Sequence, residues 1–422
     1  MQSFDCVIDD ISEFKRKALQ WATSFEVACF FDSNGFEDRY SSYTTIIAAG
    51  VRKEFLPPAG GAFSGLSDFL NGSHAFTPGF ICYDLKNELE KLSSSNPDRL
   101  HFPDLYFFVP EHVLLIKENK VQILSDTPSL MDEINAVAPQ IRKLDFKGSI
   151  QSSISRDLYT QKVNSIKEHI QRGDIYEMNF CQQFFSEDAD LDPLAAFVEL
   201  NRLSPAPFSS FFKLHDKYII SSSPERFIKK EGSKVISQPI KGTAARGADQ
   251  REDESLKQSL QENEKERAEN IMIVDLVRND LTKSAIPGSV KVEELCKIYS
   301  FQQVHQMIST VTSSVSDDTN AVSIIRDAFP MGSMTGAPKV RAMELIEQFE
   351  ETRRGIYSGA VGYFTDNKDF DFNVVIRSLI YNQTNKYLSF QVGSAITFAS
   401  DAELEYKECM LKAKAILGLL SK

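Results

Sequence analysis

Two hydrophobic periods alternate along the chain, and each keeps largely to its own stretches. Alternation with period two, or short runs of β-branched and aromatic residues, predicts strands over 43–51, 113–117 and 121–124. Polar turns such as Ser93-Ser94-Ser95-Asn96-Pro97 separate these runs. A Ser- and Gly-rich stretch over 148–155 follows the charged 142–147 and marks the best boundary, dividing the chain into 1–147 and 148–422. Beyond it an amphipathic helix is expected over 158–171, closed by Gly173. Strands follow over 176–185, 209–214 and 218–222.

The charged stretch 249–270 has the length and composition of a helix that continues, apolar, to Val277. Further helices are expected over 340–349 and 402–420, with strands over 360–364, 372–380 and 388–392 between them. Strands and helices fall in groups and not in βαβ alternation, which predicts an α+β fold. No Gly-x-Gly-x-x-Gly turn is present, which argues against a Rossmann domain.

Acids interrupt two of the apolar stripes. At helical spacing, Glu266, Glu269, Met272, Ile273 and Leu276 share one face. In the last helix Leu404, Glu408, Leu411 and Ala415 form a stripe, with Glu405 beside it. A buried, unpaired carboxylate is costly, so such acids need a cation or a proton. Two Glu-x-x-Glu pairs on different helices offer oxygen ligands suited to Mg²⁺. One such pair alone is ordinary on a solvated helix face.

The 422 residues are 42% hydrophobic, 25% charged and 11% aromatic, values of a globular protein. Their net charge of −12 disfavours a partner with a phosphate backbone, so nucleic acid is not expected. The N-terminus carries Asp5, Asp9 and Asp10 where a signal peptide needs basic residues. No apolar run is long enough to span a bilayer, so no membrane is expected either. The six cysteines are scattered, without a Cys-x-x-Cys pair or zinc spacing. A cytoplasmic protein with reduced thiols is expected.

Two loops complete the set. Residues 329–339 place Gly332 and Gly336 before Pro338 and a helix start, a loop that exposes N–H groups to an anion. It lacks the Gly-Lys-Ser/Thr of a P-loop. Pro239-Ile240-Lys241-Gly242-Thr243 follows Ser223-Pro224-Glu225. A lysine in such a loop is usually just solvated, but an enclosed one beside other cations becomes a nucleophile.

These segments, with Gly173-Asp174-Ile175-Tyr176-Glu177-Met178-Asn179, Lys265-Glu266-Arg267-Ala268-Glu269-Asn270, Ile356-Tyr357-Ser358-Gly359, Asp371-Phe372-Asn373-Val374-Val375-Ile376-Arg377 and Glu405-Tyr406-Lys407-Glu408, occur in one order. The chain resembles the chorismate-utilising enzymes over residues 155–420. Phe31-Asp32-Ser33-Asn34 and residues 79–89 extend the likeness more weakly to the N-terminal third. The resemblance implies one large unit of two packed antiparallel β-sheets with helices outside, and the N-terminal region woven into the same body.

The resemblance also implies Glu269 and Glu408 as direct Mg²⁺ ligands, with Glu266 and Glu405 supporting them. It implies Tyr357, Arg377, the backbone at Gly393 and Lys412 as groups for the carboxylates of chorismate. Thr243, His305 and Thr335 are implied to line the pocket near the ring and the departing hydroxyl. Ser33 falls in a segment that resembles a tryptophan site of relatives; a plain turn is the other reading.

Within the family the likeness is strongest to the aminodeoxychorismate branch, through Lys241. There the lysine is taken to attack C2 while Glu225 protonates the leaving 4-hydroxyl, after which ammonia enters at C4. Cationic neighbours and Mg²⁺ are expected to depress the lysine pKa. The anthranilate and isochorismate branches usually carry a small residue at that position. A non-catalytic subunit that docks a glutaminase or senses tryptophan is the reading of another class, and the intact acid, lysine and metal set argues against it. Two positions depart from the family pattern: Glu177 stands where Gln is usual, and Asn270 where His is usual. No Gly-x-Cys-x-Gly nucleophile turn is present, so ammonia is expected from a separate glutamine amidotransferase subunit or from solution.

Overall fold

The computed structural model describes residues 1–422 apart from positions 37, 59, 141, 302, 303 and 422. Its strands pair antiparallel in two series that share a strand. The first runs Gln2–Val7, Lys120–Ser125, Leu105–Lys117, Thr45–Phe55, Val27–Asp32, Phe208–Leu214, Lys217–Ser223, Ser378–Asn382, Tyr387–Thr397 and Glu177–Ser186. The second leaves Leu105–Lys117 through Thr77–Ile81, Ala360–Phe364, Phe370–Val374, Arg226–Glu231 and Lys234–Ser237 to Val304–Ser314. Strands Lys291–Ser300 and Ile240–Ala245 close its far end.

Period-two alternation decides which side chains meet. Val27 and Cys29 face a core shared by both sheets, along with Phe80, Phe212 and Val361. Ala28, Phe30 and Phe211 point the other way, against helices Ile11–Ala22, Arg156–Gln171, Pro193–Leu203 and Ala402–Leu420. Phe107, Phe364 and Phe372 of the second sheet pack instead under Ala62–Asn71, Glu264–Thr282 and Ala321–Ala328. The expected arrangement of two packed sheets with outer helices is the one observed. Strands from residues 27–32 and 77–81 pair directly with strands from 208–214 and 360–364.

Three expected elements differ. The helix expected from 249 to 277 is two, Gln250–Glu262 and Glu264–Thr282. Asn263 ends the first and caps the second, its side chain accepting from the Glu266 N–H. The strand expected over 372–380 is also two, Phe370–Val374 and Ser378–Asn382, broken where Arg377 turns to a φ of 51°. In the last helix the expected stripe is reversed. Leu404 and Leu411 are exposed at 61% and 67%, while Glu405, Cys409, Ala413 and Ile416 are buried. Small residues there let the helix lie close on strand Tyr387–Thr397, so the buried face is not the most apolar one. Among the described residues no helix is long and apolar enough to cross a membrane.

Candidate active site

The site forms where strand Glu177–Ser186 begins and strand Tyr387–Thr397 ends, Glu177 lying opposite Thr397. Helices Glu264–Thr282 and Ala402–Leu420 are joined there by Lys265, whose ammonium lies 3.1 Å from Glu405 and 3.7 Å from Glu269. The Gly332–Met334 turn carries Ser333, and strand Ile240–Ala245 carries Lys241 and Thr243.

Lys241 sits at a register shift between Ile240 and Thr243, with Gly242 at a φ of 90°. A Cβ at Gly242 would also stand 3.1 Å from Glu266 Oε2, so glycine answers both strain and space. The Lys241 side chain is 10% exposed, and its Nζ donates to Glu177 Oε1 at 2.8 Å. Burial pushes the ammonium pKa down, but Glu177, Glu269 and Glu225 outweigh it and the net shift is upward. This corrects the expected depression: within the protein, Lys241 is ringed by acids and not by cations. Glu177 is buried, and its Oε2 has no hydrogen-bond partner among the described residues.

Glu225 lies in the turn between Lys217–Ser223 and Arg226–Glu231 and is buried. Burial raises its pKa to about 7, against the opposing pull of Ser333, Lys241 and Arg377. Ser333 Oγ donates to Glu225 Oε1 at 2.6 Å. Sequence reasoning assigned Ser333 no role. It lies 108 residues away in the chain, and a small polar residue in a Gly-rich loop carries no signal of its own. Arg377 is half-buried beside Glu225, and burial lowers its pKa against that partner.

The Lys241 charge acts on Glu266, Glu269 and Glu408 alike, and Glu405 is tied to Glu269 through Lys265. Burial raises Glu266, and it raises Glu269 to about 7. Glu408 is lowered: burial opposes this, but Lys412 at 2.7 Å prevails. Among the described residues, no three His, Cys, Asp or Glu side chains already converge as around a metal. The donor set nevertheless fits Mg²⁺. It is all carboxylate oxygen, Glu269 Oε1 is buried without a hydrogen-bond partner among the described residues, and a lysine cation already bridges Glu269 to Glu405.

The other expected residues are placed variously. Tyr357 is buried with its hydroxyl 3.6 Å from Cys181 Sγ. The Gly393 carbonyl accepts from Lys412 Nζ at 2.9 Å, and a Cβ at Gly393 would strike Cys181 Sγ at 2.4 Å. Thr335 is buried, its hydroxyl turned to the Met331 and Gly332 carbonyls. Thr243 is exposed. His305 is fully buried, with Nε2 3.0 Å from Asp253 and Nδ1 2.8 Å from Ser300. Ser33 stands apart from this group and lines a separate cavity of about 50 Å³ with Phe31, Tyr43 and Asn373.

Comparison with known proteins shows the family and the fold. Residues 43–418 match the chorismate binding enzyme family. The chain is 37% identical to aminodeoxychorismate synthase component 1 of Salmonella typhimurium over 80% of this chain and 75% of that one. It is 36% identical to a probable chloroplastic aminodeoxychorismate synthase of Oryza sativa, covering 81% of this chain but only 43% of the rice protein. The crystal structure of anthranilate synthase component I from Streptococcus pneumoniae superposes with a TM-score of 0.78 at 26% identity, covering 90% of this chain and 93% of that one. With the match over residues 43–418, the relatives and the shared fold in agreement, the chain belongs to the family of chorismate binding enzymes.

Proposed function

We propose that the chain is the synthase component that converts chorismate and ammonia to 4-amino-4-deoxychorismate, the precursor of para-aminobenzoate in folate synthesis. The observation that carries the reading is the pairing of an enclosed lysine, Lys241, with a buried acid, Glu225, whose pKa lies at about 7. A carboxyl at that value is about half protonated at neutral pH and can give its proton to a departing hydroxyl.

Lys241 must first pass its proton to Glu177, whose Oε1 lies 2.8 Å away, and takes it back when the amine is released. Its neutral amine then bonds to C2 of chorismate, the ring double bonds shift, and the C4–O bond breaks with its electron pair on oxygen. Glu225 supplies the proton that makes the leaving group water, and is left as a carboxylate. Ammonia bonds to C4, the double bonds shift back, and the C2–N bond breaks with its electrons returning to the lysine. The product carries an ammonium at C4, and Glu225 regains a proton from solvent.

Arg377, Tyr357, Lys412 and the backbone at Gly393 are the groups assigned to the substrate carboxylates. Glu269 and Glu408 would hold Mg²⁺ directly, with Glu266 and Glu405 supporting them. When bound, the ion supplies positive charge to a chorismate carboxylate. Ammonia would come from a separate glutamine amidotransferase subunit, a reading supported by the words "component 1" in the name of the Salmonella relative.

The test is incubation of the purified chain with chorismate, Mg²⁺ and ammonium, with the product identified by mass and ultraviolet spectrum. 4-Amino-4-deoxychorismate is expected; anthranilate or isochorismate overturns the assignment. With glutamine as the only nitrogen source, product should appear once an amidotransferase subunit is added. Glutamine-dependent product from the chain alone would remove the separate subunit.

A further inference from the structure

The loop that faces Glu225 is pinned from several sides. Arg354, itself fully buried, donates to the Met334 carbonyl at 2.6 Å and to the Asn179 carbonyl at 2.9 Å. Asn179 Nδ2 donates to the Ser333 carbonyl at 3.1 Å. Glu350 holds Arg354 in turn, at 2.7 Å. Ser333 is therefore fixed through its neighbours and its own backbone, and its hydroxyl is spent on Glu225 Oε1 at 2.6 Å. Both side chains are about 95% buried, Ser333 at 5% exposure and Glu225 at 4%.

We propose that Ser333 is a positioning residue for the acid: its hydroxyl occupies Oε1 of Glu225 as donor, so that the acidic proton is carried on Oε2. The inference rests on the reading of Glu225 as the proton donor. A carboxylic acid has one proton and two oxygens, and without a fixed donor either oxygen can carry it. A donor on Oε1 removes that choice and locks the carboxyl plane at the same time. The bond also strengthens as the reaction proceeds. Glu225 passes from acid to carboxylate as its proton moves to the departing hydroxyl, and a hydroxyl donates more strongly to an anion than to a neutral carbonyl oxygen. Ser333 therefore stabilises the transition state more than the bound substrate, and its loss should appear in kcat and not in KM.

The charged groups that face Glu225 are Lys241 and Arg377, with the Ile240 N–H also donating. Arg226 and Asp280 border the same small cavity. Arg226 is already neutralised by Asp38 and Asp371, and Asp280 by Lys339. Removing the Ser333 donor leaves those charges in place, so a change in Glu225 titration reports on the hydroxyl.

The experiment uses the full chain as Ser333→Ala, a small-for-small change, with Glu225→Gln as the control. The infrared band of the protonated Glu225 carboxyl, assigned by its disappearance in Glu225→Gln, is followed against pH without substrate. In Ser333→Ala its midpoint should move to higher pH by roughly half a unit or more, because the lost donor favoured the anion. With ammonium as nitrogen source, kcat should fall about tenfold with KM for chorismate unchanged. An unmoved midpoint or an unchanged kcat overturns the role of Ser333 while leaving the acid in place. Wild-type turnover by Glu225→Gln overturns the acid itself, and the positioning role with it.

Discussion

Lys241 rests as an ammonium because Glu177 lies 2.8 Å from it and Glu269 and Glu225 add to the negative field. Replacing Glu177 by Gln keeps a hydrogen-bond acceptor but removes the nearest charge. The Lys241 pKa should therefore fall. Acylation of Lys241 by a small anhydride, followed by peptide mass spectrometry across pH, should show a lower midpoint in Glu177→Gln; an equal midpoint would clear Glu177 of that control. The proposed role of Lys241 as nucleophile is tested by starving the protein of ammonia. The wild type should then accumulate an adduct of chorismate minus water on the peptide that contains Lys241, and Glu225→Gln should slow its formation by about 10²–10⁴-fold. Lys241→Arg, which keeps the charge, should form neither adduct nor 4-amino product. Retained 4-amino product in Lys241→Ala, with no adduct in the wild type, leaves the lysine an electrostatic role only. At this scale the sequence was readable where a residue was out of place: a lysine in a Pro/Gly loop, acids on apolar stripes. Ser333 and the Lys241–Glu177 pair were not, because each depends on a partner far along the chain, 108 and 64 residues away.

At the scale of elements, periodicity marked the helices and strands around the acid and lysine motifs but left helices such as Ile11–Ala22 and Pro193–Leu203 and strands such as Val27–Asp32 and Val304–Ser314 unmarked, and where it did mark an element it failed where small or single residues decide. Asn263 looks like any polar residue in a charged run, yet its cap divides one helix into two. Arg377 reads as part of a strand, but at a φ of 51° it turns out of line and toward Glu225. A left-handed arginine costs of order 1 kcal/mol or more, which suits a residue held for its position. The C-terminal helix was read with the wrong face inward because Leu404 and Leu411 outweigh Cys409 and Ala413 in any hydrophobic count. The consequence is measurable by urea unfolding. Leu411→Ala, at an exposed position, should change stability by no more than about 0.5 kcal/mol. Ala413→Leu, at a fully buried one, should cost about 1–3 kcal/mol by overpacking the helix against its strand. Equal effects would return the helix to the face expected from its leucines.

Over the whole molecule, the same burial that prepares the site for chemistry lowers stability at neutral pH. Glu225 and Glu269 both have folded-state pKa values of about 7, raised from 4.5. Between those values the folded chain holds two protons that the unfolded chain has released. Unfolding then expels protons, so stability falls as pH rises from 4.5 to 7 and stays lower above it, by up to about 3 kcal/mol per group. A divalent cation bound by the Glu269 carboxylate would offset its share. At one hundred times its Kd such a ligand contributes about 2.7 kcal/mol, a shift of a few degrees in Tm. Wild-type protein in metal-free buffer should accordingly melt lower at pH 8 than at pH 5, and Mg²⁺ should raise Tm at pH 8 but much less at pH 5, where Glu269 is protonated. Glu269→Gln has no proton to lose and no charge to offer. It should melt higher than wild type at pH 8 without metal, and its Tm should not respond to Mg²⁺. A variant that kept the full Mg²⁺ response would remove Glu269 from the metal site, whatever happened to turnover.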